Sequence, residues 1–373
     1  MRIALLSRRF DPSGGGTERD LIITADYLRR GGHQVAIYAG EVRGASNRFP
    51  VRLVATPPLG RALRLWRFAC LAPEIARRES AELVLSFGRT VGADVLRSGG
   101  GAHISYLRAA RKWRGALVAA AMHLSPYHRV QMRIERCGFR SPRLKLAIAI
   151  AKLVRDDLIR QFKLPDEKVP TLYNGVDLER FRPAADRESR RRIRQALGLP
   201  EAAPVVIFVG NGFARKGLGF MIEAWPKIRA KPWLLVVGKD RAAESYKKQA
   251  RVLNVADRVL FLGSRNDVAE LFHAVDALAL PSLFEPFGNA VLEAMAGGLK
   301  VITSAQSGVS ELLPDDIARF TIQDPCDSDE IGARLDALIE APTALGESAR
   351  AAAERHSWDR YGENLLRLLE SIH

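Results

Sequence analysis

Two glutamates pose the chemical question. In "LPSLFEPFGNAVLEAMAGG", Leu280 to Gly298, Glu285 and Glu293 stand eight residues apart, with a proline, a phenylalanine and a glycine between them. The run "ALALPS" reads as a strand, Pro281 and Pro286 bracket a turn, and a helix is expected from near Phe287. Glu285 then precedes the helix and Glu293 lies about two turns in. The first amides of such a helix, at Gly288, Asn289 and Ala290, favour an anion through their orphan donors and the helix dipole. Glu285 is placed to accept hydrogen bonds from hydroxyls beside that anion, and Glu293 from a second hydroxyl pair. Taken singly, either glutamate could be a solvated helix residue. The pair, joined by "PFG" and preceded by a strand, favours a ligand.

A matching cation comes from "FVGNGFARKG", where a strand ends at Gly210 and Arg215 and Lys216 stand before the next helix. Arginine offers a planar fork to a diphosphate and lysine a point charge. Two further loops carry glycine triplets that let a backbone approach a ligand closely. They are "FDPSGGGTERD", with Gly15 and Gly16 ahead of Asp20, and "LRSGGGAHISYL", which leads to His103. The first is neither a dinucleotide fingerprint nor a nucleotide P-loop. "GSRNDV", with Arg265 and Asp267, is another loop at the same sheet edge. No HExxH, GxSxG or Cys/His metal spacing occurs, so no metal is expected. The acidic triplet "DSD", Asp327 to Asp329, reads as a helix cap.

The elements that must hold these loops alternate. Strand-like runs "IALL", "HQVAIYAG", "VRLVATP", "ELVLSFG" and "LKLAIAI" are separated by helical patterns; Thr17 is a candidate cap for the helix ending at Arg30. Near residue 170 the chain becomes rich in proline, Asn-Gly and charge, and the alternation then restarts at "VVIFVG". Strands alternating with helices predict parallel sheets covered on both faces. The fold expected is α/β with two Rossmann-like domains, 1–170 and 171–356. A final helix, 357–373, carries Leu365, Leu366, Leu369 and Ile372 on one stripe and could return to the first domain. In open sheets of this kind, ligands bind beyond the carboxyl ends of the strands.

Of the +15 formal net charge, residues 1–180 hold +16 and residues 181–373 hold −1. The first half should therefore meet an anionic partner: nucleic acid, a phosphorylated substrate or a membrane surface. Arg108, Arg111, Lys112, Arg114, Arg129 and Arg133 fall in a stretch with one acid, Glu135, and interleaved aromatics. It could lie on an anionic leaflet, grip acceptor phosphates or form a solvated helix face. The apolar runs are shorter than the roughly 18 residues of a membrane span. The start is too short for a signal peptide, and Cys70, Cys137 and Cys326 read as reduced thiols. A cytoplasmic protein is expected.

Together these stretches resemble the retaining glycosyltransferases of family 4, of GT-B fold, over nearly the whole chain. "EPFGNAVLE" matches the family's E-x7-E motif and is followed by the usual "AMAGG"; "GNGFARKG", "GSRNDVAELFHAVDALALPS" and "YNGVDLERFRP" match in the expected order. "FDPSGGGTERD" and "SRNDV" look like the lipopolysaccharide core glucosyltransferase I group. This chain has three glycines and Glu18 where enteric members have two and a glutamine, and it differs around His103. The resemblance implies two domains facing across a cleft, the first on the acceptor side and the second binding a nucleotide sugar. It implies that Arg215 and Lys216 neutralise the leaving diphosphate and that Glu293 holds the ribose. Glu285 would contact sugar hydroxyls beside the amides of Phe287, Gly288 and Asn289, with Arg265 also on the donor side. Gly15 and Gly16 would pass close to the phosphates, and Asp20 and His103 would line the acceptor side. His103, Arg215, Lys216 and Glu285 are then the expected catalytic groups.

The function expected is retaining, metal-independent transfer of a hexose, glucose from UDP-glucose foremost, to a lipid-linked glycan such as lipopolysaccharide core, at the inner membrane surface. One alternative is a GDP-mannose or other nucleotide-sugar transferase for capsule or exopolysaccharide. An alternative of another class is a nucleic-acid-binding protein, although no helix-turn-helix, RNA-recognition or zinc module accompanies the arginines.

Overall fold

The computed structural model describes residues 1–12, 14–44, 46, 48–57, 60–184 and 186–372. Ser13 of the first glycine loop, Ala185 of the charged segment near residue 170 and His373 of the final helix lie outside the described residues. The chain forms two compact units, Met1–Asn174 with Trp358–His373, and Gly175–Ser357.

The first unit runs β1 (Arg2–Ser7), α1 (Gly16–Arg30), β2 (Gln34–Ala39), β3 (Val51–Leu53), α2 (Arg61–Arg78), β4 (Leu83–Ser86) and β5 (Val95–Ser98). Then come α3 (His103–Ala109), α4 (Arg111–Arg114), α5 (Ala116–Leu124), α6 (Pro126–Phe139), β6 (Leu146–Ala149) and α7 (Lys152–Phe162). The second unit runs α8 (Arg187–Ala196), β7 (Val205–Val209), α9 (Leu218–Ala224), β8 (Trp233–Val237), α10 (Ala243–Val252), β9 (Val259–Gly263) and α11 (Val268–Phe272). It continues through β10 (Ala277–Leu280), α12 (Asn289–Ala296), β11 (Lys300–Thr303), α13 (Asp315–Ala318), α14 (Ser328–Glu340) and α15 (Ala344–Glu354). The last helix is α16 (Trp358–Glu370).

Among the described residues the first sheet has the order β3-β2-β1-β4-β5-β6 and the second β11-β10-β7-β8-β9, with parallel pairing in both. Strands buried on both faces explain the uninterrupted apolar runs: Ile3 to Leu6 and Val205 to Phe208 are all buried. In each sheet the order reverses beside the first strand of its unit, between β1 and β4 and between β7 and β10. That switch point opens a crevice at the carboxyl ends of the strands.

Helix α1 buries Leu21, Ala25 and Leu28 against Ile3, Leu5 and Ile37. Thr17 does not cap it. Gly15 is the cap residue, no side chain caps the helix, and Thr17 lies inside the first turn. Helix α16 belongs to this same core, through Trp358, Tyr361, Leu365 and Leu369. Thr24 Oγ1 and Tyr361 Oη lie 2.9 Å apart, and Tyr27 Oη donates to Asp359 at 2.5 Å. A Cβ on Gly362 would stand 2.2 Å from the Tyr27 ring, so only glycine admits this approach. In the second unit Asp327 caps α14, accepting from the amides of Asp329 and Glu330, as the "DSD" triplet suggested. Among the described residues no helix is long and apolar enough to cross a membrane.

Candidate active site

The switch point of the second sheet collects the charged residues. The loop after β7 spans residues 210–217, and the loop after β10 spans residues 281–288. Glycines let them meet. Gly217 has φ +79, and a Cβ there would fall 2.0 Å from the Pro281 carbonyl oxygen. Gly210 has φ +149, and its Cβ would collide with Lys216 Cε at 2.4 Å, so the lysine stem passes through space only glycine leaves.

The two loops exchange charge. Lys216 Nζ donates to Glu285 Oε2 at 2.5 Å, and Arg215 Nη1 donates to the same oxygen at 3.1 Å. Arg215 also reaches the Phe284 carbonyl at 2.6 Å, and the Leu283 amide donates to the Arg215 carbonyl at 2.8 Å. The Lys216 and Glu285 side chains are only 11% and 12% exposed. Burial opposes the charged carboxylate, but the charges of Lys216 and Arg215 outweigh it and hold Glu285 below its ordinary range. Two cations on one carboxylate leave a net positive centre at the strand ends, which can stabilise a developing anion.

Glu285 is thus an anchor for the cations, a role that its position before the helix did not reveal. Its backbone is clamped as well. The Glu285 amide donates to the Gln306 carbonyl, and the Gly308 and Val309 amides donate to the carbonyls of Glu285 and Phe287. Gly288, at φ +111, precedes α12, and a Cβ there would press on Ser307 Oγ at 2.9 Å. No side chain caps α12 and its first turn holds no acid, so its amides and dipole add to the positive field. The helix begins at Asn289 and not near Phe287, which puts Glu293 one turn in and not two. Four residues apart, Asn289 and Glu293 share one face. Phe287 is buried at 2%, so its side chain belongs to the core. Arg265 is not brought into this group. It follows β9, the edge strand two places from β7, and binds Asp267 through bonds of 2.8 and 2.5 Å.

The first unit holds the remaining expected residues. Gly15 and Gly16 follow β1 at the start of α1, and a Cβ on Gly15 would meet nothing within 4 Å. Asp20, expected on the acceptor side, is 4% exposed and turned inward. Its carboxylate accepts from Arg97 Nη2 at 3.0 Å, and Arg97 donates to Asn174 Oδ1 at 2.6 Å. Burial pushes the Asp20 carboxyl up against the opposing pull of Arg97. Asp20 therefore ties α1 to β5. An arginine inside the apolar run "VLRS" was the sequence signal for such a partner.

His103 opens α3 after β5 and is also buried. Its Nε2 lies 2.9 Å from His128 Nδ1, and its amide donates to both oxygens of Glu135, at 3.1 and 2.9 Å. Burial first, and then the charge of Arg89, push the His103 imidazole down to about 3. It is neutral at neutral pH and can exchange hydrogen bonds but carries no positive charge. His128 and Glu135 gave no sequence signal as its supports. Arg89 Nε donates to Glu135 Oε1 at 2.6 Å, so this acid of the basic stretch is a buried partner and not part of its surface.

Arg108, Arg111, Lys112, Arg114, Arg129 and Arg133 are exposed, across α3, α4 and α6. Arg133 also covers the Trp66 ring at 5.1 Å. Between them α5 presents Leu117 and Leu124 at 88% and 76% exposure, with Val118.

Comparison with known proteins gives the geometry its family. The model of Glycosyltransferase Family 4 matches residues 14–180, and that of Glycosyl transferases group 1 matches residues 189–364. The sequence is 26% identical over 351 residues to the lipopolysaccharide glucosyltransferase WaaG of Escherichia coli, covering 91% of each chain. The crystal structure of WaaG, a glycosyltransferase involved in lipopolysaccharide biosynthesis, superposes with a TM-score of 0.81 at 25% identity, over 97% of this chain and 98% of that one. An uncharacterized glycosyltransferase of Methanocaldococcus jannaschii, MJ1607, is 26% identical over 227 residues, 59% of this chain and 58% of that protein's length. Anabaena HepE, solved with UDP-glucose, shares the fold at 19% identity and a TM-score of 0.75, over 100% of each chain. Two parallel-sheet units, each matched along most of its length by a transferase family, place the chain among the GT-B glycosyltransferases, with a family 4 region ahead of a group 1 region.

Proposed function

We propose that the protein transfers a hexose, glucose from UDP-glucose foremost, with retention of configuration, to a lipid-linked glycan such as lipopolysaccharide core. The observation that carries this reading is the Arg215–Lys216–Glu285 trio at the second switch point, beside the uncapped start of α12. The match to WaaG along 91% of both chains supports the donor and acceptor class. In the transfer, the bond from the anomeric carbon to the diphosphate breaks and that carbon bonds the acceptor oxygen on the same face. The acceptor proton passes to the departing diphosphate. Arg215, Lys216 and the α12 amides stabilise the charge that grows there; this reading calls for no metal. Glu293 holds the ribose.

The donor is tested by a thermal-shift screen of nucleotide sugars, since a ligand that binds only the folded state raises the melting temperature. UDP-glucose is expected to give the largest shift, and Glu293→Ala to weaken its binding about tenfold. A larger shift with GDP-mannose, or an undiminished one in Glu293→Ala, would overturn the donor assignment.

The working place proposed is the cytoplasmic surface of the inner membrane. Basic residues beside an anionic leaflet contribute roughly 1 kcal/mol each, and the bare apolar face of α5 adds an inserting surface. Arg111→Gln with Lys112→Gln and Arg114→Gln is expected to lower partition onto phosphatidylglycerol vesicles more than tenfold while UDP affinity stays the same. Unchanged partition rules this surface out.

A further inference from the structure

The first unit holds a cavity that neither the donor site nor the α5 face explains. It measures about 280 Å³ and is lined by Arg8, Arg61, Arg64 and Tyr127, over a floor of Leu65 and Phe68. That is close to the lower end of the roughly 300–1,000 Å³ of small-molecule sites. Its position follows from topology. Arg8 comes directly after β1, Gly40 and Glu41 after β2 and Thr56 after β3, so the cavity lies at the carboxyl ends of three adjacent strands. Gly40 allows the closeness: a Cβ there would meet the Phe68 ring at 2.9 Å and the Arg8 carbonyl at 3.1 Å.

Its charge is one-sided. Tyr127 gathers two guanidinium groups, Arg8 donating to its hydroxyl at 3.0 Å and Arg61 covering its ring at 4.6 Å. Having accepted from Arg8, the hydroxyl keeps its own proton for a ligand. Arg61 opens the 18-residue helix α2, whose N-cap Gly60 has no capping side chain and whose first turn has no acid. The one acid lining the cavity, Glu41, is bound to Arg43 at 2.7 Å. Arg8, Arg61 and Arg64 have no carboxylate partner among the described residues. Like charges gathered without counter-charge repel. An oxyanion with several acceptor oxygens relieves that repulsion, and the guanidinium fork matches phosphate.

We propose that this cavity binds a phosphate group carried by the acceptor, through Arg8, Arg61, Arg64 and the Tyr127 hydroxyl. The word "acceptor" rests on the transferase reading above; the anion site itself rests on the cavity. The phosphate could belong to a phosphorylated sugar or to a lipid headgroup, two sources of one chemistry.

The test titrates full-length protein with inorganic phosphate and with glucose 6-phosphate by calorimetry, and measures partition onto phosphatidylglycerol vesicles. Arg61→Gln with Arg64→Gln is expected to weaken both soluble ligands at least tenfold, about 1.4 kcal/mol. Tyr127→Phe is a milder probe that keeps the ring and should cost a few-fold. The part of the UDP-induced melting shift that is lost in Glu293→Ala, measured in parallel, reports the donor site, so loss of the donor reading is seen separately from loss of this one. Weakened sugar phosphate with vesicle partition intact assigns the cavity to phosphorylated sugar; loss of vesicle partition alone assigns it to headgroups. Wild-type protein that binds none of the three, or a double variant that binds all three as wild type does, overturns the proposal.

Discussion

Lys216→Ala is expected to lower kcat by about 10²–10³-fold, the cost of removing one preorganised donor to a developing anion. The trio makes the prediction sharper than a basic loop would. Glu285 takes bonds from both cations, so removing Lys216 leaves Arg215 and Glu285 as a neutral pair and erases the net positive charge. Lys216→Arg keeps the charge but must fit a larger head where the lysine stem already crowds Gly210. It should recover only part of the rate. Single-turnover measurement with saturating UDP-glucose checks both. A turnover within threefold of wild type in Lys216→Ala would remove the lysine from the chemistry.

The second large effect is on stability. Asp20→Ala leaves the Arg97 guanidinium, at 3% exposure, without its counter-charge. Breaking a buried pair from one side costs about 3–5 kcal/mol, a large fraction of the roughly 5–15 kcal/mol that holds a domain together. Asp20→Asn keeps an acceptor oxygen for Arg97 and should lose less. Because Asp20 lies in the first unit, UDP binding to the second should persist at temperatures where the first still holds. Denaturant melts of the two variants separate this anchor from an acceptor-contacting role. An Asp20→Ala protein as stable as wild type, yet unable to transfer, would return Asp20 to the acceptor side.

The fold was legible because its signals are local. Apolar runs such as Val205 to Phe208 have no polar face to alternate with, and that is the mark of a strand covered on both sides. The meeting of Arg215, Lys216 and Glu285 was legible for a related reason: they stand in loops directly after β7 and β10, neighbours in the sheet, where topology brings loop residues together. What the sequence hid was which way side chains turn. Asp20 was expected to line the acceptor side and Glu135 was only the one acid of a basic stretch; their inward turn depends on Arg97 and Arg89, which lie 77 and 46 residues away. The error on Glu293 came from the helix start. Gly288 was read as part of the helix, but its left-handed backbone delays the first turn to Asn289. The cavity arginines were hidden because Arg8, Arg61 and Tyr127 meet only when three elements are folded together.

The return of α16 to its starting unit bears on how the protein is born. Residues 175–357 make a complete unit as soon as they have left the ribosome. The amino-terminal unit, though translated first, still lacks Trp358, Tyr361, Leu365 and Leu369. Nascent domains ordinarily mature in the order they emerge; here the earliest must wait, with the Thr24 and Tyr27 side of α1 uncovered, until the final helix arrives to seal it.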